Sequence, residues 1–204
     1  QKRWDAGERS SELMDKYVFG YLAKAKPEKT KACCMDYLKS LDETQVKTEH
    51  TYRILQAFSR EFEDGIVVDY RLKYWNDYQQ YDDYMTFNTN NYRWLVRNAN
   101  VSLGKSEEAL QEHIRILQGK EFPQKEMFMA IIDAETTLIK NRDEGLRRMH
   151  EVAVKYGKEN PWLYTQFAYS IVNAGYFISE DKSAEHQQWV REITERAYEL
   201  FPSQ

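Results

Sequence analysis

The apolar residues of this chain recur at every third or fourth position almost from end to end. That spacing admits little except α-helices that each bury one face. The clearest run goes from Val67 through Tyr70, Tyr74, Tyr78 and Tyr81 to Met85, in steps of three, four, four, three and four. Those steps place all of these side chains on one helical stripe. Eight Gly and four Pro in 204 residues leave few turn signals for a fold of strands. The length is sufficient to bury a substantial core.

Helix start and stop signals divide the pattern. Ser10 or Ser11 caps a helix reaching about Lys26, with Leu13, Met14, Tyr17, Val18, Tyr21 and Leu22 inward, and Pro27 ends it. A second helix turns Ala32, Met35, Leu38 and Leu41 inward. Thr48 caps a third, which runs through Phe62 on Tyr52, Ile54, Leu55 and Phe58; Gly65 closes it in the left-handed conformation that glycine tolerates. The run DDYMTFNTNN from Asp82 offers the backbone competing side-chain hydrogen bonds and predicts a bend or break. Beyond it a helix carries Tyr92, Leu95, Val96, Ala99 and Leu103 until Gly104. Ser106 caps the next, Pro123 opens another, Asp143 caps a third, and Asn160, followed by Pro161 at the first helical position, caps WLYTQFAYSIVNAG. The last helix, SAEHQQWVREITERAYELFP, ends at Pro202.

Helices of this length on short connections pack as antiparallel neighbours. The expected fold is therefore all-α: stacked antiparallel helical hairpins in a tetratricopeptide-like right-handed array. Residues 1–204 form one helical domain in this expectation, with a subdivision near 104 between an aromatic-rich half and a tetratricopeptide-like half. Phe167 and Ala168 occupy the large and small positions of a tetratricopeptide first helix, and Ala197 with Pro202 ends the second. The connection between them is about ten residues longer than such a repeat allows.

Function is less legible. Nine of the 25 residues from Tyr70 to Trp94 are aromatic. An aromatic stripe at helical spacing is ordinarily core, yet Tyr also suits sugar and peptide surfaces. Tyr74, Trp75, Tyr78, Tyr81, Tyr84, Tyr92 and Trp94 are accordingly the candidate ligand- or partner-binding residues. Burial of the first four removes the platform; three or more exposed ring faces in one concavity support it.

Other chemistry is sparsely indicated. The net charge is -4 and Lys and Arg alternate with Asp and Glu, which disfavours nucleic acid. No apolar run approaches the ~20 residues of a membrane span. The chain starts QKRWDAGERSS without a signal-peptide core, which fits a cytosolic protein or a processed piece. Cys33 and Cys34 are adjacent, so on a helix they diverge by about 100 degrees and read as one buried apolar residue beside an incidental neighbour. His50, His113, His150 and His186 lack zinc-ligand spacing. The acidic groups Asp82-Asp83, Glu107-Glu108 and Glu61, Glu63, Asp64 read as helix ends and solvated faces. Asn100 in NVS matches a glycosylation pattern but falls inside a helix. No GxSxG, phosphate loop or HExxH occurs, so no catalytic residue, metal ligand or cofactor is expected. Two functions remain, a helical surface for a protein or peptide and an aromatic binder of a glycan or other small ligand.

The opening RWDAGERSSELMDKYVFGYLAKA resembles the segment following the thioredoxin domain in some thioredoxin-related proteins of Bacteroidetes. In that segment an aromatic and an acidic residue precede AG, a charged residue, RS and then E-L-x-x-x-Y. The closing YTQFAYSIVNAGYF and ITERAYELFP look like the tetratricopeptide-like end of their helical extensions. The resemblance implies a cell-envelope or periplasmic setting and a non-catalytic, partner-holding role beside an upstream thioredoxin-like domain. It carries no functional residue across, because CC at positions 33 and 34 does not match the family's CxxC.

Overall fold

In a computed structural model the chain is described over residues 2–61, 65–175 and 180–201. No strand occurs among the described residues, and the fold is all-α. The chain divides into two compact units, Gln1–Asp83 and Tyr84–Gln204. The junction thus falls inside the aromatic stretch rather than at Gly104, because Gly104 lies within a helix that continues to Lys105.

The first unit opens with the short helices α1 (Lys2–Asp5) and α2 (Ser11–Leu13), a π-helical stretch Met14–Leu22 and α3 (Ala23–Ala25). Leu13, Met14 and Val18 are buried as the periodicity predicts, while the side chains of Tyr17, Tyr21 and Leu22 lie outside the described ones. In α4 (Pro27–Ser40) the buried face is Thr30, Cys34, Tyr37 and Leu38, rotated from the expected one: Ala32 is exposed and Met35 and Leu41 are half-buried. The α4 face presents Tyr37, whose long apolar body fills more core than Ala32. After a 3-10 turn Gln45–Lys47, α5 (Glu49–Glu61) buries Thr51, Tyr52, Ile54, Leu55 and Phe58. Thr48 caps it, its hydroxyl accepting from the Thr51 N–H at 3.3 Å. Phe62 falls outside the described residues.

Gly65 does not close α5 in a left-handed turn. It is the first residue of α6 (Gly65–Lys73), and Gly7 is the only described glycine with positive φ. The tyrosine stripe continues through α7 (Trp75–Tyr78) and a 3-10 turn Gln79–Tyr81. The chain then extends at Asp82. The expected break therefore occurs at the two aspartates, while TFNTNN is helical.

The second unit contains α8 (Tyr84–Lys105), α9 (Glu107–Gln118), α10 (Lys125–Lys140), α11 (Arg142–Tyr156), α12 (Trp162–Gly175) and α13 (Glu180–Leu200). Ser106 caps α9 as expected, accepting from the Ala109 N–H at 3.1 Å. The cap of α11 is Asn141, which accepts from the Glu144 N–H at 3.3 Å, and Asp143 lies in the first turn instead. Consecutive helices run in opposite directions. Lys140 at the end of α10 pairs with Glu107 at the start of α9 at 2.5 Å, and Lys125 at its start reaches the Gln118 carbonyl at the end of α9 at 2.6 Å. Alternate helices run parallel: Tyr84 and Gln124 meet at the starts of α8 and α10, and His150 of α11 meets Glu192 of α13. Hairpins stacked in series have this signature.

The core of the last two hairpins comprises Ala134, Leu146, Met149, Ala153, Tyr164, Phe167, Ile171 and Ile193. A close backbone approach between its helices is at Gly145, where an added Cβ would lie 2.2 Å from Leu138 Cα on α10. Ala168, expected at a close helix pair, is half-buried.

Gly145→Ala tests this contact. Helix propensity alone would stabilise by about 1 kcal/mol, whereas overpacking against backbone destabilises by roughly 1–3 kcal/mol. Chemical denaturation is expected to show a net loss; a raised midpoint would mean that α10 and α11 are not in backbone contact there.

Candidate functional site

The seven aromatic residues expected to bind a ligand do not share an exposed surface. Tyr74, Trp75, Tyr78, Tyr92 and Trp94 are buried, Tyr81 is half-buried, and Tyr84 alone is well exposed, at 51 %. The open platform is replaced by a ladder of hydrogen bonds within the first unit. Tyr70 donates to the Leu38 carbonyl at 3.0 Å, Tyr74 to Glu43 at 2.9 Å, Tyr78 to the Val46 carbonyl and Tyr81 to the Lys47 carbonyl, both at 2.7 Å. One helical stripe thereby pins the connection between α4 and α5. The phenol ring supplies buried apolar area, and its hydroxyl gives the Val46 and Lys47 carbonyls of that connection a donor.

Around this ladder Tyr52 donates to Asp82 at 2.6 Å, Gln56 bridges both, and Arg53 pairs with Asp82 at 3.3 Å. Arg71 is 2 % exposed, with its guanidinium 5.6 Å over the Tyr52 ring. Burial lowers its pKa, opposed by Tyr52, Tyr78 and Asp82.

The second unit carries a different arrangement. Phe122 is buried against Phe128, and the chain must then turn into α10. Gln124 makes that turn at φ 57 and ψ 28, a left-handed conformation found at no other described non-glycine residue. Pro123 was expected to open the helix; α10 instead begins after Gln124. The strained backbone costs about 1–2 kcal/mol and is held by the side chain. Gln124 Nε2 donates to the Tyr84 hydroxyl at 2.6 Å and to Asn160 Oδ1 at 3.1 Å, and the Tyr84 hydroxyl donates to the same Oδ1 at 3.0 Å. Asn160 is 2 % exposed, and its Nδ2 returns to the Tyr156 carbonyl at 3.2 Å. Its side chain therefore does not cap α12, the role its place before Pro161 suggested. Among the described residues Gln124 Oε1, shielded from solvent, has no hydrogen-bond partner.

Beside this triad lies a notch of about 700 Å³ between the start of α10 and the end of α11. Met127, Met129 and Tyr156 supply its apolar lining, and Glu121, Lys125, Glu126 and Glu159 supply its charge. Sequence reasoning missed Gln124, Met129, Tyr156 and Glu159 as a group, since they meet only when the ends of two helices are brought together. Among the seven candidates, Tyr84 alone touches this site.

Other titratable groups are structural in form. Cys34 is fully buried and its thiol is pushed up to about 12 by burial, so it holds its proton. His150 and His186 flank the Trp189 ring, at centroid distances of 5.2 and 5.1 Å, and His150 bonds Glu192 at 3.0 Å. On the outer stripe of α11, hydrogen bonds from Arg147 and Arg148 hold Glu144 down at about 2, and Arg147 also pairs with Glu151. Among the described residues no group of three or more His, Cys, Asp or Glu is placed to hold a metal ion, and no helix is long and apolar enough to cross a membrane. Where α8 and α10 meet, Tyr92 donates to Glu135, whose pKa burial raises despite that bond. Comparison with family models, with curated proteins and with solved structures found no match to this chain.

Two outcomes are expected. Tyr78→Phe leaves the Val46 carbonyl without its phenol donor and should cost roughly 1–3 kcal/mol in chemical denaturation; no change would remove the ladder's structural role. Glu135 binds its proton more tightly folded than unfolded, so its contribution is complete below the ordinary carboxylate range and lost as pH rises through the raised folded value. Glu135→Gln keeps the acceptor for Tyr92 and should abolish that decline when stability is measured against pH. An identical pH profile in the variant would contradict the burial of this carboxylate.

Proposed function

We propose that this helical chain works by binding a segment of another protein, and that the notch between α10 and α11 is where the segment docks. The observation that carries this reading is the strained Gln124. A non-glycine residue held left-handed at the edge of a concavity of about 700 Å³ is a local backbone cost of the kind that clusters at binding sites. The volume lies within the range of ligand-binding clefts. Met127 and Met129 adapt to differently shaped apolar side chains, and Tyr156 offers a ring beside them. The glycan reading has less support, since of the rings it needed Tyr74, Trp75, Tyr78, Tyr92 and Trp94 are buried and Tyr81 is half-buried. The resemblance of the opening segment to thioredoxin-related proteins suggests one partner, a thioredoxin-fold protein of the cell envelope, with this chain in a non-catalytic holding role.

The test is a displayed library of random peptides, selected on the native chain and counter-screened on Gln124→Ala/Tyr156→Ala. Clones are expected that lose about tenfold or more in affinity on the variant while its helical circular dichroism is preserved. Equal retention of every clone by both chains would overturn the notch as the docking site.

A further inference from the structure

The charge around the notch narrows its occupant, and this step rests on the docking reading above. Three carboxylates, Glu121, Glu126 and Glu159, line it against one ammonium, Lys125. That ammonium is already engaged: Lys125 Nζ donates to the Gln118 carbonyl at 2.6 Å and pairs with Glu121 at 3.1 Å. Glu126 and Glu159 are both exposed and take no hydrogen bond or ion pair among the described residues; Glu126 interacts only with the field of Lys155. The contrast with the outer stripe of α11 is direct, since there Glu144 and Glu151 are neutralised by Arg147 and Arg148.

Helix dipoles do not reverse this balance. The positive end of α10 and the negative end of α11 meet at the notch because the pair is antiparallel, and their partial charges offset each other. The side chains therefore set the sign, and Glu126 and Glu159 face solvent without an ion pair among the described residues. Exposed Tyr84, bonded to Gln124 and Asn160, adds a ring at the edge of the notch.

We infer that the notch takes a basic peptide segment, one apolar anchor side chain seated on Met127, Met129 and Tyr156 with Lys or Arg on its flanks facing Glu126 and Glu159. The anchor supplies buried area, while the flanking cations select the partner and speed encounter. An acidic segment would meet like charge at Glu126 and Glu159.

The experiment uses labelled peptides of about eight residues, long enough to cross the notch extended, with one Leu or Met anchor and flanks of Lys, Gln or Glu. Binding is read by fluorescence anisotropy on the native chain and on Glu126→Gln/Glu159→Gln. The Lys-flanked peptide should bind about tenfold tighter than the Gln-flanked one at low salt. That advantage should disappear in the double variant and fall between about 50 and 300 mM salt. Both substitutions are at exposed sites without partners, so folding is preserved. Equal binding of Lys- and Gln-flanked peptides, or preference for Glu, overturns the basic partner while leaving the docking site standing. Failure of all three peptides to bind removes the docking reading, and this proposal with it.

Discussion

The contact of Gly145 with the backbone of Leu138 governs the best-defined part of this molecule. Without a side chain at 145, α11 lies directly on α10 and runs back along it. A single residue, Asn141, separates the two helices and caps the second. The reversal brings the last turn of α11 beside the first turn of α10, and the notch exists only because those two ends coincide. Gly157 acts similarly one connection later, where an added Cβ would strike the Tyr164 ring at 2.1 Å. Close approach at these two points lets Leu146, Met149, Ala153 and Phe167 pack as one core.

The first unit solves a different problem with different chemistry. Its connection from Leu38 to Lys47 carries carbonyls with few helical partners, and an aliphatic stripe could bury area but could not satisfy them. Tyrosine does both, which accounts for the run of tyrosines on this stripe. The same feature therefore suggests a binding surface when read in one dimension and serves as an internal brace in three.

Much of the architecture was legible. Ser106 and Thr48 act as caps, the helical periods correspond to helices, and the break falls at Asp82, because these depend on interactions within a few residues. Errors arose where a neighbour from another element decided the outcome. The buried face of α4 is set by what Tyr37 packs against, Gly65 begins a helix rather than ending one, and Asn160 bonds Tyr84 and Gln124 instead of capping α12. Of the candidate site, Tyr84 was recognised as aromatic and Pro123 as a boundary. The left-handed Gln124 was not, since no local rule asks glutamine to adopt that conformation.

The sequence by itself determined that the fold is all-α, where most helices begin and end, and that its buried surface is rich in phenols. Those properties follow from hydrogen bonding and periodicity along one segment. Tertiary structure alone decided which tyrosines face inward, which carboxylates are left without a cation, and where a strained amide meets an apolar hollow. Such properties belong to pairs of residues far apart in the chain, and their energies are set by distance and burial that one-dimensional spacing does not encode.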